Sequence, residues 1–399
     1  MHFAPSPSRA LRGISGRRVL TPHGVGPACL AFDEAGRIAH MDATDVARDQ
    51  DFDAGDLLVV PGIVDLHGDA FERAIMPRPR VIFPYDGALL DVDRQLLANG
   101  ITTEFHGVTL SWEGGLRGEP YAVRMFDALD RMRGLLGAHH YVHLRFETHH
   151  IAGVDVAQSW IREGKVRFLA LNDHLPSMAK RLGDDRKLLQ YAERAECDLD
   201  TFQDRIRAAM ASADDVAGAM RELTRSAHEA GLQVASHDDG DAATRRYYHQ
   251  LGCKVAEFPV ALDAAQVARS LGDAIVFGAP NVVRGGSHNG SLNATEMIGA
   301  GLCDVLASDY YYPAPLAAAL KLAHAGTLPL DRAWDLVSRN PARAAGLRDR
   351  GQLAPGMSAD AIVVDDSVPE VPHVCAAIVG GRLRYATRQF ESRLARAAA

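Results

Sequence analysis

The sequence predicts an α/β protein: a (β/α)₈ barrel with a small β-sandwich domain formed by both termini. Three observations lead to this prediction. Apolar segments alternate with helical segments through the middle of the chain, both ends carry short strands separated by turns, and acidic and histidine residues follow many of the central strands. Barrel enzymes carry their chemistry at the C-terminal strand ends, so the third observation favours a barrel over an open doubly wound sheet.

The small domain is predicted to comprise residues 1–60 and 346–399, and the barrel residues 61–345. Short strands are expected at 19–20, 28–32, 37–40 and 57–60. They are too few to bury a sheet alone, and they need a partner. The same pattern of short strands separated by turns is found near the other end of the chain, at 351–365, 374–379 and 383–385. We therefore expect the two termini to pair.

The barrel strands and helices are predicted from hydrophobic runs and the glycines that punctuate them. The predicted strands are 58–66, 101–108, 141–146, 166–171, 232–236, 254–258, 274–277 and 304–308. Helices at 88–98, 213–230 and 264–271 are each followed by glycine, a common helix terminator. Residues 175–213 exceed one crossover and predict a helical insertion over the barrel mouth, a lid or dimer surface, with a plain solvated helical pair as the alternative.

Composition limits the class of protein. The chain has 399 residues, 47% of them hydrophobic and 24% charged, which fits an ordinary soluble enzyme. A net charge of -8 argues against a nucleic-acid partner, and no apolar run is long enough to cross a membrane. The five cysteines are scattered without a CxxC pair, which favours a reducing, cytoplasmic location. We expect a homo-oligomer, a dimer.

Acidic and histidine side chains follow the predicted strands, where the strand ends meet. Alternate residues of a strand share a face, so Asp65, His67 and Asp69 point the same way, and His67 with Asp69 could bind one cation. Carboxylate and imidazole ligands without a thiolate suit Zn, Mn, Fe or Ni, and we expect one or two divalent ions, with Zn first. The predicted ligands are His67, Asp69, Glu147, His174, His237 and Asp309.

Asp309 is the acid at the tip of the last predicted strand. That position predicts a metal ligand that is also the general base, with a helix or turn cap as the alternative. Other acids and histidines near strand ends are left without a role, because histidines that only support a metal site are common. They are Glu104, His106, His149, His150 and Glu257.

Two basic segments predict a polyanionic substrate. The glycine-rich segment 283–290 contains Arg284, and its backbone amides could bind an anion where barrel phosphate sites often lie. Arg73, Arg78 and Arg80 follow the first predicted ligands, with two prolines between them. Arginine suits phosphate oxygens, although a plain surface loop is the alternative.

These residues resemble the amidohydrolase superfamily, a metal-binding barrel flanked by a small β-domain from both termini. The segments 340–347, 351–353 and 355–360 look like that superfamily's usual return to the small domain. Its common first motif has two histidines one residue apart, whereas this chain has Asp69 in the second position. Members often bridge two metals with a carbamylated lysine, and here Glu147 is the natural substitute.

A narrower resemblance, over roughly residues 55–365, is to the diphosphatases of the carbon–phosphorus lyase pathway. It depends on segments 65–73, 76–79, 99–103, 105–113, 144–148 and 278–288. It implies release of diphosphate from α-D-ribose 1-methylphosphonate 5-triphosphate. The implied substrate-binding residues are Arg73, Arg78, Asn172, Asp173, Arg284, Gly286, Ser287 and His288. Segments 175–178 and 310–312 depart from the pattern, so a paralogue with a related substrate is also open.

The function predicted first is therefore a metal-dependent hydrolase of a phosphorylated sugar phosphonate. The alternative within hydrolases is an amidohydrolase acting on a cyclic amide or an N-acyl small molecule, which would be indifferent to charge reversal at Arg78 and Arg284. A third hypothesis, from another class, is a catalytically inactive scaffold that needs no stoichiometric metal.

Overall fold

The computed structural model describes residues 10–42, 52–78, 80–286, 292–388 and 390. Its strands form one sheet of eight and one of seven, which confirms the predicted barrel with a β-domain from both termini. The strands are β1 (Gly13–Thr21), β2 (Gly24–Phe32), β3 (Ile38–Asp42), β4 (Leu58–Pro61), β5 (Ile63–Gly68), β6 (Ile101–Leu110), β7 (His139–Glu147), β8 (Phe168–Asn172), β9 (Gln233–His237), β10 (Val255–Glu257), β11 (Ala274–Gly278), β12 (Val305–Ala307), β13 (Ala361–Asp365), β14 (His373–Val379) and β15 (Arg382–Ala386).

Strands β5 to β12 are parallel neighbours in chain order, as a barrel requires. The first and last strands meet at their C-terminal ends. The amide of Asp309 donates to the carbonyl of His67 at 2.9 Å, and the amide of Asp69 donates to the carbonyl of Asp309 at 2.7 Å. Two predicted ligand segments are thereby fastened together by the backbone.

Helices surround the barrel and bury the outward faces of its strands. They are α1 (Phe71–Ile75), α2 (Tyr85–Ala98), α3 (Glu119–Met132), α4 (Val154–Arg162), α5 (Leu175–Ala179), α6 (Asp185–Arg194), α7 (Leu199–Ala211), α8 (Ala213–Glu229), α9 (Ala242–Gln250), α10 (Leu262–Leu271), α11 (Ala279–Arg284), α12 (Ala294–Gly299), α13 (Ala314–His324), α14 (Leu330–Asp335) and α15 (Arg339–Ala344). None of them, within the described ranges, is long and apolar enough to cross a membrane.

An apolar cluster inside the barrel includes Phe105, Phe168 and Val255, all fully or almost fully buried. These apolar side chains fill the barrel interior, so the barrel has no open channel. Polar side chains at the C-terminal ends of the strands therefore line a pocket that is closed below by this apolar cluster.

The prediction of one strand over 58–66 was wrong. The run divides at Gly62: β4 pairs with β1 and β13 in the seven-stranded sheet, and β5 begins the barrel. A Cβ at Gly62 would overlap the side chain of Thr102, so glycine allows the chain to pass closely from one sheet to the other.

Helices α5, α6 and α7 occupy the predicted insertion. They pack around Leu188, Phe202 and Ile206, and this cluster includes Trp112, which follows β6. The insertion is therefore docked on the loop that leaves one barrel strand. The boundaries proposed for the two domains, and the dimer, stay predictions.

Candidate active site

His67 lies at the centre of the candidate site. It is 1% exposed, with Nδ1 3.2 Å from Oε2 of Glu257 and Nε2 3.7 Å from Oδ1 of Asp69. Burial disfavours the imidazolium form, but the two carboxylates outweigh burial and raise the pKa of His67 to about 10. The position therefore favours a bound positive charge.

His237, the last residue of β9, lies next to His67, with ring centroids 5.3 Å apart. It belongs to two groups whose ligand atoms all lie within 4.8 Å of one another: His67, His237 and Glu257, and His174, His237 and Asp238. Burial lowers the pKa of His237, which keeps its nitrogens available as ligands at neutral pH. The arrangement offers positions for one or two cations.

Glu147 ends β7, and its carboxylate is buried against His174. The backbone amide of His174 donates to Oε2 at 3.2 Å, and the ring Nδ1 lies against Oε1. Nε2 of His174 is 3.5 Å from Oδ2 of Asp238. Burial alone would lower the pKa of His174, but these carboxylates raise it to about 9. Glu147 thus orients His174, and its own role as a metal ligand stays a prediction.

Asp309 follows β12 with a φ of 57°, a left-handed conformation that few non-glycine residues adopt. It lines a pocket of about 210 Å³ together with His67, Asp69 and His237. Burial raises the pKa of the Asp309 carboxyl to about 6. A strained acid with a pKa near neutrality fits the predicted general base.

The side chains at this end of the barrel have the chemistry of a cation site. Several of their buried atoms have no hydrogen-bond partner within the described structure: both ring nitrogens of His67, Nδ1 of His237, Oδ1 of Asp69 and both oxygens of Glu257. Leaving such atoms unsatisfied costs about 1–3 kcal/mol each. Nitrogen and oxygen donors that converge in this way fit a divalent metal ion.

Arg145 supplies a fixed positive charge inside the pocket. It is 5% exposed, and Nη1 donates to Oδ2 of Asp69 at 2.6 Å. Asn172, with its amide oxygen turned toward Arg145, accepts from Nη2 and Nε at 3.2 Å each. Asn172 therefore orients Arg145 rather than opening into the pocket itself.

Some of the other predicted substrate-binding residues line the pocket, and others lie outside it. Arg284 and Gly286 line the pocket. Arg73 is exposed beside it, with Cζ 5.8 Å from the ring centroid of Tyr310. Arg78 is exposed outside the pocket lining, and Asp173 is 3.7 Å from His149. Ser287 and His288 lie outside the described residues.

The strand-end residues left without a role fall into supporting positions. Glu104 is fully buried beside Asp65, and burial raises its pKa well above the ordinary value. Nε2 of His106 is 2.8 Å from Nδ1 of His140. His149 contacts the carbonyl of Ala209 in the insertion, and burial lowers the pKa of His150. Glu257 is different, because it belongs to the central cluster.

Sequence reasoning missed His143 and Arg145. His143 is fully buried, with Nε2 3.5 Å from Oε2 of Glu257, and Nδ1 lies 3.1 Å from the carbonyl of Leu66. The signal was present, because residues 143, 145 and 147 alternate along β7 and therefore share a face. Asp65 was expected to share a strand face with His67 and Asp69. Its Oδ1 accepts from the amide of Ser308 at 2.9 Å, which joins β5 to the segment after β12.

Comparison with known proteins assigns the family. A model described as the amidohydrolase family matches residues 102–385. The chain belongs to the amidohydrolase family. It is 33% identical over 325 residues to the alpha-D-ribose 1-methylphosphonate 5-triphosphate diphosphatase of Escherichia coli (strain K12), a match that covers 79% of this chain and 86% of that protein.

Solved structures of other enzymes have the same fold. N-acetyl-D-glucosamine-6-phosphate deacetylase from Mycobacterium smegmatis superposes with a TM-score of 0.61 at 18% identity, covering 94% of this chain and 100% of that chain. 5-Methylcytosine deaminase from Klebsiella pneumoniae, liganded with 5-fluorocytosine, gives a TM-score of 0.61 at 15% identity, covering 94% and 98%. These two likenesses show the fold. The family model and the E. coli relative show that the chain is a hydrolase of the amidohydrolase superfamily, whose members typically bind divalent metals.

Proposed function

We propose that this hydrolase releases diphosphate from a phosphorylated sugar phosphonate, α-D-ribose 1-methylphosphonate 5-triphosphate, with zinc as the first choice of metal. The observation that carries the proposal is the pocket that holds Asp309 and His237 beside Arg145 and Arg284. Such a pocket combines cation ligands and a base with fixed positive charge, which is what hydrolysis of a polyphosphate needs. The relative named for this reaction, 33% identical, supports the choice.

The ligands proposed for the metal are His67, Asp69, Glu147, His174, His237 and Asp309, with Glu257 added from the structure. Glu147 also orients His174. When bound, a divalent cation supplies positive charge that makes water easier to deprotonate and neutralises phosphate oxygens.

The chain's own residues perform the remaining work. Asp309 accepts a proton from the attacking water, whose oxygen adds to phosphorus as the anhydride bond between the first and second phosphates breaks. Diphosphate leaves, the 5-monophosphate remains on the sugar, and the proton passes to solvent. Arg284 and Arg145 offset the negative charge of the phosphates. Diphosphate is a good leaving group, so no separate acid is required.

The test is a substrate panel with metal-loaded protein: sugar triphosphates, sugar phosphonates, N-acyl sugar phosphates and cyclic amides, followed by phosphorus NMR. We expect diphosphate to appear from the triphosphorylated sugar phosphonate. In the charge-reversed variant Arg284→Glu, kcat/KM should fall by at least ~10-fold, which is about the effect of losing one hydrogen bond to a charged group. Ring opening or deacylation without diphosphate, indifferent to Arg284→Glu, would instead support the alternative amidohydrolase function.

A further inference from the structure

The loop after β6 contains a buried carboxylate, Glu113, that the proposed reaction does not use. Glu113 is 1% exposed. Its Oε1 is 3.3 Å from Nη1 of Arg117, its Oε2 is 2.6 Å from Nη2 of Arg194, and its backbone carbonyl accepts from Nη1 of Arg205. One acidic residue therefore holds guanidinium groups from its own loop, from α6 and from α7.

Two glycines make this contact possible. Gly114 and Gly115 have φ values of 78° and 55°, in the left-handed region. A Cβ at Gly115 would overlap the backbone of Arg194 and Ala195, and a Cβ at Gly114 would overlap the guanidinium of Arg205. The insertion helices are thus seated directly on the loop.

Arg117 connects this cluster with the metal end of the barrel. Its side chain is 14% exposed, and its Nε is buried without a hydrogen-bond partner in the described structure. Arg117 also acts electrostatically on Glu72, Asp69 and Glu147. Because the loop after β6 leaves the C-terminal end of a barrel strand, Arg117 lies at the same end of the barrel as the metal pocket.

Three arginines contact one acidic residue in this cluster, Glu113. Burial would raise the pKa of Glu113, but Arg117 and Arg194 outweigh burial and lower it, so this carboxylate is ionised. Glu72 also interacts with Arg117 and Arg194, and burial raises its pKa. The side chain of Arg194 is one quarter exposed, and its Cζ lies 5.2 Å from the ring centroid of Tyr191.

We propose that Arg117 and Arg194, positioned by Glu113, form a phosphate subsite that the insertion brings to the barrel mouth for the terminal phosphates of a polyphosphorylated substrate. The identity of that substrate rests on the proposed function, whereas the subsite itself requires only a polyphosphate. Planar guanidinium groups held in place suit phosphate oxygens, and their order is already provided by Glu113.

The first test measures binding without turnover. Metal-free protein is titrated with inorganic triphosphate by calorimetry. Arg117→Gln and Arg194→Gln should each weaken binding by ~10-fold, about the effect of one charged hydrogen bond. Arg207→Gln is the matched control, because Arg207 lies on α7, is 58% exposed and pairs with Asp204 at 2.6 Å. Unchanged affinity in Arg194→Gln would overturn the subsite, even if Arg117→Gln failed to fold.

The second test separates phosphate binding from a merely structural clamp. With active enzyme, Arg194→Gln should raise KM for the triphosphate substrate and leave unchanged the inhibition constant Ki of the corresponding 5-monophosphate, which is the product. A clamp would alter both equally, and that result would contradict the subsite. If the arginine variants bind triphosphate more weakly but the unaltered protein has no diphosphatase activity, the proposed function is contradicted and the subsite is supported. If the protein has diphosphatase activity and both variants bind triphosphate normally, the proposed function is supported and the subsite is contradicted.

Discussion

Single side chains at the barrel mouth carry backbone strain or buried polar atoms without a hydrogen-bond partner in the described structure. His67 faces two carboxylates, and Asp309 is held in a left-handed conformation near other acids. Strain and unsatisfied buried polar atoms cost stability, and they persist where function requires them. A cation at this position would bind one ring nitrogen of His67 and would satisfy the acids that surround it.

Replacing Asp309 by asparagine tests the general base. Asp309→Asn should lower kcat by ~10²–10⁴-fold, the usual contribution of a base, because the amide accepts no proton at neutral pH. Steady-state kinetics measure the loss, and far-UV circular dichroism should show an unchanged fold. The control is Asp331→Asn in α14, which removes an exposed acid far from the chemistry. A normal rate in Asp309→Asn would remove this role.

The raised pKa values of two histidines predict how the metal-free protein responds to pH. A group with a higher pKa in the folded state stabilises the fold below its ordinary pKa of about 6.5, and that stability is lost as pH rises through the folded value. The folded pKa is about 10 for His67 and about 9 for His174. The melting temperature of metal-free protein should therefore fall between pH 7 and 10.

Two acids near His67 do not change the direction of the expected fall in melting temperature between pH 7 and 10. The pKa of Asp309 is raised to about 6 and that of Glu257 is lowered to about 2 despite burial, so both titrate below pH 7. The variant His67→Gln should show a shallower pH dependence in the same thermal scans. A melting temperature that stays level or rises toward pH 10 would contradict the electrostatic account of His67.

At the scale of elements, the ends of β5 and β12 fix the positions of His67, Asp69 and Asp309. Gly68 is needed at this closure, because a Cβ there would overlap the Glu104 carboxylate and approach that of Asp65. The acids cannot move without disturbing the hydrogen bond from Ser308 to Asp65. The barrel seam and the candidate metal centre are therefore one packed unit.

The variant Gly68→Ala tests this unit. It should lower the free energy of unfolding by ~1–3 kcal/mol through overpacking, and it should weaken metal binding as well. Urea unfolding and metal titration provide the two measurements. Gly87→Ala is the control, because Gly87 lies exposed in α2 with open space around its Cα, and the change there should be neutral or stabilising. Equal stability of the two variants would contradict tight packing at Gly68.

The sequence predicted the elements that local patterns encode. Alternation of strand and helix gave the barrel, and polar residues after strands pointed to the mouth, because parallel strands end at the same rim. The break at Gly62 was missed, since a continuous apolar run has no periodicity that shows where one sheet ends. The Glu113–Arg194 contact joins residues 81 positions apart, and no local pattern encodes it.

At the scale of the whole molecule, hydrogen bonds join the barrel to the sheet built from both ends. The indole of Trp334 donates to the carbonyl of Pro61 at 3.0 Å, and the hydroxyl of Ser338 donates to that of Gly62 at 2.7 Å. Arg350 donates to Thr103 at 2.9 Å. The segment that follows the last barrel strand is thereby hydrogen-bonded to the residues where the barrel begins. Metal binding at the end of β5 should therefore stabilise both the barrel and the seven-stranded sheet.

Metal addition should raise the stability of the protein by mass action, by ~2.7 kcal/mol when the ion is present at 100 times its Kd. Differential scanning calorimetry with and without a chelator measures this shift. His237→Ala should abolish most of it, because His237 belongs to both ligand groups at the barrel mouth. His373→Ala is the control: it alters a third group, Asp365, His373 and Cys375, on the seven-stranded sheet. An undiminished shift in His237→Ala would contradict the assignment.

The most direct measurement is anomalous X-ray diffraction from crystals grown with zinc, recorded at the zinc absorption edge. Our account predicts an anomalous peak at the C-terminal end of the barrel, ~2.0–2.3 Å from ring nitrogens of His67 and His237. A peak only at His373, or no peak at the barrel mouth, would contradict it.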